Sequence, residues 1–550
     1  MDYFSNLPAE LFAEVIDNLV PCIGPYKALR LRTVNKRFND AILYSIFDNP
    51  AINWYRDPGI YTDHYDFRQM TAPLSSRMLF AQIKRNPDRT HILSAICRAA
   101  KACALDEYGQ QTYEQQLENT RTLCEAVAYH LRPTHIMAIY PCSCLPHTIS
   151  PDLQNAFCAT IFLGNISMIR TLLAKGADVN ADNTYFSRPL QLAIIRGRLD
   201  IVQLLLDHGA DANAIAASGK SWWPPAIRYY RETKTCYWSS DGSPLRVACL
   251  AGQDHIVHVL LQPRYEVATS GVEYEAAIMA ATLSGHTHLV ALLIEKTGQP
   301  LASKLRQNIF WEASYYGRES IVQLMIDNGM DVNARRSWRW FRHLTALQIA
   351  ASRNRANVIR LLLNNGAQDQ YISRPSGGTA LLIAVDGGHE EAVQVLLDHG
   401  GDLNSQLHKE ALQRAAIKGQ THMIQFLLRM GADFNAPYDP LLGTSINRPS
   451  PYDSDLTVGE MTLSMAVERD NEQAVRVLAK AGVRLRPAMF GQKGVMQAPI
   501  SGIVETLLET GAVTTELLEY ARTLDPPNRN RSMSAHEQKK WKTRDWYGKY

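Results

Sequence analysis

The sequence has little of what marks a secreted, membrane-spanning or catalytic chain. Its apolar runs all fall short of the roughly 18 residues that a spanning helix needs. Its nine cysteines are an odd number, scattered without the spacing of a disulfide framework. Such a thiol set suits a reducing compartment, so a cytoplasmic or nuclear location is expected. The opening MDYFSNLPAELF carries acidic residues and no apolar core, so no secretory signal is expected there. Charge of one sign is also scarce: 57 Lys and Arg face 54 Asp and Glu, for a net charge of +3. Much of that excess sits after Asp525, so the body is nearly neutral, which argues against a bulk nucleic-acid binder.

Catalytic signatures are missing as well. There is no phosphate loop, no nucleophile elbow and no HExxH, so no enzyme and no cofactor is expected. His135, Cys142, Cys144 and His147 gather in RPTHIMAIYPCSCLPHTIS. Structural zinc sites show two well-spaced ligand pairs, which C-x-C-x-x-H is not. A proline-rich loop with inert thiols is the better reading, and no metal is expected. His286 and His288 lie in a turn opening a helix, where polar residues are ordinary.

What is present is a repeat. Its clearest copy is PLQLAIIRG followed by RLDIVQLLLDHGADAN, at 189–213. The residue separating the two apolar runs recurs as Gly164, Gly197, Gly252, Gly285, Gly317, Asn354, Gly388, Gly419 and Asp470. The period is about 33 residues, with two longer gaps that read as insertions. Four residues before this anchor stands Ala193, Ala248, Ala281, Ala313, Ala350, Ala384, Ala415 or Ala466, with Thr160 in the first copy. Five residues after it comes a β-branched residue, from Ile169 to Val475, and then an apolar pair at helical spacing. A glycine such as Gly176, Gly209 or Gly329 ends the second helix. A degraded tenth copy shows in Val504, Leu507, Leu508 and Gly511.

The phrases GADVN at 176–180, GADAN at 209–213 and GADFN at 431–435 resemble the ankyrin-repeat family. The resemblance implies an all-α solenoid of about nine to ten helix-pair repeats, running over 152–513. The family's TPLH phrase survives only as RPLQ, SPLR and LTALQ. The missing histidine is expected to loosen some inter-repeat hydrogen bonds.

Residues 1–48 form a separate unit. Pro8 and Glu10 suit a first helical turn. Leu11, Val15, Ile16 and Leu19 make one apolar stripe; after a break at Pro21, Gly24 and Pro25 a second run has Leu29 and Leu31, and a third helix has Val34, Phe38, Ala41 and Ile42. Three helices in so short a span form a core too small to stand easily alone. LPAEL at 7–11 and LRLRTVNKRFNDAI at 29–42 resemble an F-box. The resemblance implies binding to the adaptor protein of SCF-type ubiquitin ligases, and through it to a cullin. The contacts it implies are Leu7, Pro8, Leu11, Ile16, Leu19, Leu31, Val34 and Phe38. An F-box before ankyrin repeats resembles a protein type of filamentous fungi. The other reading makes these helices a structural cap on an ankyrin scaffold with no ubiquitin role. Residues 49–151 read as a loop followed by helices, either a decayed repeat or a connector. Residues 514–550 read as a short helix and a basic flexible tail.

Target binding is expected on the loops between repeats. The finger at 214–241 carries Trp222, Trp223, Tyr229, Tyr230, Tyr237 and Trp238. That at 334–343 alternates charge and ring in Arg335, Arg336, Trp338, Arg339, Trp340, Phe341 and Arg342. Trp, Tyr and Arg are the side chains most enriched at binding hot spots. The two fingers are expected on one edge of the stack, about 25–30 Å apart, a span that fits an unknown protein target. Alternatively the first folds back on its own rings and the second is a structural Arg–aromatic stack. A third insertion, 436–458, is rich in Pro and Ser and expected to be mobile.

Overall fold

The computed structural model describes residues 8–23, 36–47, 72–85, 91–103, 112–130, 152–183, 185–215, 242–335, 344–369, 378–405, 408–437, 456–468, 471–484 and 502–513. The chain divides into two compact units, residues 1–305 and 306–550. Among the described residues every named element is a helix. An isolated bridge between Pro437 and Thr457 pins the base of the third insertion.

Both units are built from pairs of short helices hinged at the anchors. In the first unit Asp152–Leu163, Pro189–Ile195, Pro244–Ala251 and Val272–Ser284 pack one on the next as first helices. In the second unit Ala346–Ala351, Ala380–Gly387, Ala411–Ile417 and Val458–Glu468 do the same. The eight Ala residues four before the anchors are all fully buried, as are the nine β-branched residues five after them. A small side chain in the first row lets helices approach, and a stiff one in the second fills the seam. Thr160 joins the row because its hydroxyl donates to the Ala156 carbonyl at 2.6 Å and so meets its own polar requirement.

The hinge explains the anchor glycines. Gly252 takes φ +69°, and a Cβ there would stand 2.3 Å from the His286 ring of the following repeat. Asn354 adopts φ +53° in place of a glycine, the substitution that region tolerates best. The third repeat departs at its far end. Its second helix, Asp254–Leu260, runs into a 3₁₀ turn at Pro263–Tyr265, and Glu266 takes the left-handed conformation where other copies use Gly.

The missing histidine does not loosen the stack at the two glutamines that replace it, which corrects the expectation above. Gln191 Nε2 donates to the Ala214 carbonyl at 2.9 Å, and Gln348 Nε2 to the Gly378 carbonyl at 3.0 Å. Gln348 Oε1 also accepts from the Thr345 N–H at 2.9 Å, completing a capping box. An amide carries a donor and an acceptor on one planar group and replaces the imidazole's bridging role. The Asn of GADxN adds a second ladder. Asn404 Nδ2 donates to the Gly431 carbonyl at 3.1 Å and its Oδ1 accepts from the Asp433 N–H at 2.7 Å. Asn180 and Asn333 do the same to their own next repeats.

Before the repeats, Ala72–Arg85, His91–Cys103 and Tyr113–His130 form three helices. His91–Cys103 packs on both Tyr113–His130 and the first repeat's Asp152–Leu163. It closes the end of the stack, and Arg98 reaches Asp152 at 3.0 Å.

The amino-terminal helix Ala9–Ile23 packs on Lys36–Phe47. Its expected single stripe is in fact two faces, which corrects the sequence reading. Phe12, Ile16 and Val20, at i, i+4 and i+8, are buried, as are Ile42 and Leu43. Leu11 is 50% exposed and Val15 39% exposed, on the next strip of the helix, with Leu19 half-buried below them. Ile16 therefore belongs to the interior rather than to a contact surface.

Candidate interaction surface

The two residues before each anchor end the first helix, where side chains clear the packed seam. In the second unit this register holds Tyr315 and Tyr316, then Ser352 and Arg353, then Asp386 and Gly387, then Ile417 and Lys418. Tyr315 and Tyr316 are half-buried, with ring centroids 4.8 Å apart at 70°. The Arg353 guanidinium lies over the Tyr315 ring at 4.2 Å and donates to the Tyr315 hydroxyl. Burial, and then the charge of Arg355, hold the Arg353 guanidinium below its ordinary pKa. Burial also lowers His389; the Ser352 carbonyl works against this, and the Arg353 charge adds to it. The result is a ledge of two rings and one stacked cation, held from behind by Arg355, whose Nε donates to the Tyr315 carbonyl at 3.1 Å. In the first unit the same register sets Arg196 over the Phe162 ring at 4.8 Å.

The sequence-predicted residues are placed as follows. Pro8 is exposed, and Leu11, Ile16 and Leu19 stand as described above. Phe38 lies in the helix Lys36–Phe47. Arg335 is exposed just after the turn in which the Asn333 N–H donates to Asp331 Oδ1 at 2.9 Å. Leu7, Leu31, Val34, Trp222, Trp223, Tyr229, Tyr230, Tyr237, Trp238, Arg336, Trp338, Arg339, Trp340, Phe341 and Arg342 lie outside the described residues. So do His135, Cys142, Cys144 and His147. Among the described residues no group of three or more His, Cys, Asp or Glu could hold a metal ion. His286 is the N-cap residue of Thr287–Lys296, and His288 Nε2 sits 2.5 Å from Asp254 of the preceding repeat. Burial pushes the thiols of Cys124, Cys158 and Cys249 well up, so these three stay protonated.

Sequence reasoning missed Tyr315, Tyr316 and Arg353. The aromatic-rich insertions carry the stronger compositional signal, and Tyr315, Tyr316 and Arg353 stand out in sequence only as neighbours of the anchors Gly317 and Asn354. The signal was the register itself: an Arg and two Tyr immediately before an anchor, where the helix ends.

A family model described as ankyrin repeats in three copies matches residues 124–216, 245–336, 310–406 and 347–438, together more than half of the chain. The chain belongs to the ankyrin-repeat family, whose repeats are protein-interaction scaffolds. The unmatched gap between 216 and 245 coincides with the first long finger. Among curated proteins the chain is 24% identical over 317 residues to an ankyrin repeat domain-containing protein, SAT10, of Stachybotrys chartarum. It is 26% identical over 279 residues to the ankyrin repeat and KH domain-containing protein mask-1 of Caenorhabditis elegans. It is 29% identical over 148 residues to the B-cell lymphoma 3 protein homolog of Mus musculus. These matches span 57%, 49% and 26% of this chain, and only 14%, 9% and 33% of the respective relatives. No helix among the described residues is long and apolar enough to cross a membrane.

Proposed function

We propose that the chain is a non-catalytic adaptor, the substrate receptor of an SCF-type cullin ubiquitin ligase. Its amino-terminal helices would dock the ligase adaptor protein and its repeats would hold the target. The observation that carries this reading is the exposed strip of the helix Ala9–Ile23. Leu11 and Val15 face solvent, while the neighbouring strip already fills the small core. Covering a leucine and a valine is worth roughly 1.5–3 kcal/mol each when complete, so a partner seated there gains what the fold leaves unused. The contacts would come from Leu7, Pro8, Leu11, Leu19, Leu31, Val34 and Phe38, with Val15 added and Ile16 supporting from within. The mechanism is proximity: a lysine of the target is held near a charged conjugating enzyme. This chain supplies no reacting group in that scheme.

The test is co-purification of the full chain with the SCF adaptor protein, with Leu11→Asp and Val15→Asp combined as the control. Both side chains are already exposed, so the variant should unfold with the same midpoint as the parent. Capture by the parent and loss in the variant is expected. No capture by a folded parent sinks the ligase reading. A second reading, a structural cap on an ankyrin scaffold, draws support from Lys36–Phe47, which also packs on Ala72–Arg85.

A further inference from the structure

The ledge of the second unit carries two cations without counter-charges among the described residues. Two other arginines of that unit are matched by carboxylates: Arg414 by Asp386 and Glu410, and Arg476 by Glu472 and Glu509. Arg353 and Arg355 are not. Among the described residues, Arg355 spends its Nε on the Tyr315 carbonyl and lays its shaft over Gly317. Arg353 has the Tyr315 hydroxyl and ring as its partners. A guanidinium carries five N–H donors, and a stacked one is already fixed in direction. The next repeat has Gly387 at Arg353's register position, so no side chain from that position covers it. A Cβ at Gly387 would meet the His389 ring at 2.5 Å, which keeps the position bare.

We propose that this ledge docks an acidic stretch of a protein partner, one carboxylate accepting from Arg353 and a neighbouring apolar residue resting on Tyr316. Three features select that chemistry. Two adjacent cations without a carboxylate favour an anion. A planar guanidinium matches a carboxylate two N–H groups at a time. The paired tyrosine rings beside it offer apolar area at low entropic cost. The proposal rests on the protein-interaction reading of the repeats and is independent of the ligase reading.

The probe is a fluorescein-labelled peptide with a run of glutamates between two phenylalanines, followed by anisotropy with the full chain at low salt. Its glutamine counterpart and a phosphoserine counterpart are run beside it. The glutamate peptide should bind, the glutamine peptide should not, and Arg353→Gln should weaken binding about tenfold, the worth of one charged hydrogen bond. Arg360→Gln, an exposed arginine on a second helix, should leave it unchanged. Equal binding of the glutamine peptide, binding of the phosphoserine peptide alone, no binding of the glutamate peptide, or undiminished binding by Arg353→Gln overturns the proposal. If Arg353→Gln unfolds, Arg353→Lys decides instead. It keeps the charge and loses the fork, and its affinity should fall measurably below the parent's. Loss of adaptor capture with peptide binding intact would sink the ligase reading alone.

Discussion

Arg414 Nη1 donates to Asp386 at 2.7 Å across the seam between two adjacent repeats, and its Nε donates to Glu410 at 3.2 Å. The register position it occupies, five before the anchor, is apolar in seven of the eight other copies, from Ala159 and Leu192 to Met465, with Glu312 as the other charged residue. An apolar slot has thus been given to a buried cation that ties two helices together.

Arg414→Ala should therefore cost about 3 kcal/mol, because it leaves a buried carboxylate, Glu410, and a half-buried one, Asp386, without their counter-charge. Burial already pushes Asp386 and Glu410 up, against the pull of Arg414. Without the arginine both rise further. A carboxyl whose folded pKa is raised contributes stability below its unfolded value and loses it as pH rises. The variant's deficit should be smaller near about pH 5 than near about pH 8, which urea unfolding at the two pH values would measure. A pH-independent deficit would mean the loss is one of packing.

Asn404→Ala should break one rung of the inter-repeat ladder. It removes the acceptor of the Asp433 N–H and the donor to the Gly431 carbonyl. These groups are exposed enough for water to replace the side chain, so the cost should be about 1 kcal/mol. The sharper readout is amide exchange. The Asp433 N–H should exchange faster in the variant, while that of Asp211, held by Asn180, should not change.

The repeat itself was legible because its physics is periodic. The row of buried Ala four before the anchors and the row of buried β-branched residues five after them follow from one register, and Asn354 could be recognised as an anchor because its spacing demanded it. Less legible was anything that depends on which repeat faces which. Gln348 reads as a lost histidine until its amide is seen spanning two repeats. Arg353 reads as an ordinary helix-end charge until the ring of Tyr315, 38 residues earlier, is found beneath it. The amino-terminal helix failed for another reason. Leu11, Phe12, Val15, Ile16 and Leu19 cover more than one helical strip, and periodicity does not say which strip the small core takes.

Ser187→Gly should stabilise the first unit. Ser187 is buried at φ +76°, and its hydroxyl has no hydrogen-bond partner among the described residues. Glycine removes both the left-handed penalty, roughly 1 kcal/mol, and an unmatched polar atom. Asn354→Gly is the contrasting case. It relieves similar strain but forfeits the bond in which Asn354 Oδ1 accepts from the Ala392 N–H at 3.1 Å. Calorimetry should show a higher unfolding temperature for the serine variant and little change for the asparagine one.

His408 should make the second unit lose stability as pH rises through and above the ordinary imidazole range. Its side chain is buried, with Nδ1 2.7 Å from the Asp402 carbonyl and Nε2 3.5 Å from the Asp369 carboxylate. Burial pulls its pKa down, but Asp369 and Asp402 more than offset that, and the net shift is upward. Asp369 is itself held in place by the backbone N–H groups of Ala380 and Leu381. When protonated, the imidazole bridges two repeats through a carboxylate anchored in the earlier one. A histidine with a raised folded pKa lends its stability fully below the unfolded value of about 6.5 and loses it as pH climbs through the folded value. Urea midpoints should fall between about pH 6 and pH 9 for the parent chain. His408→Gln can accept or donate at the same place but cannot take up the charge. It should start lower at the acid end and show a flatter profile, the two curves converging as pH rises. Parallel curves would mean that the imidazole stays neutral throughout and that Asp369 holds it only as a dipole.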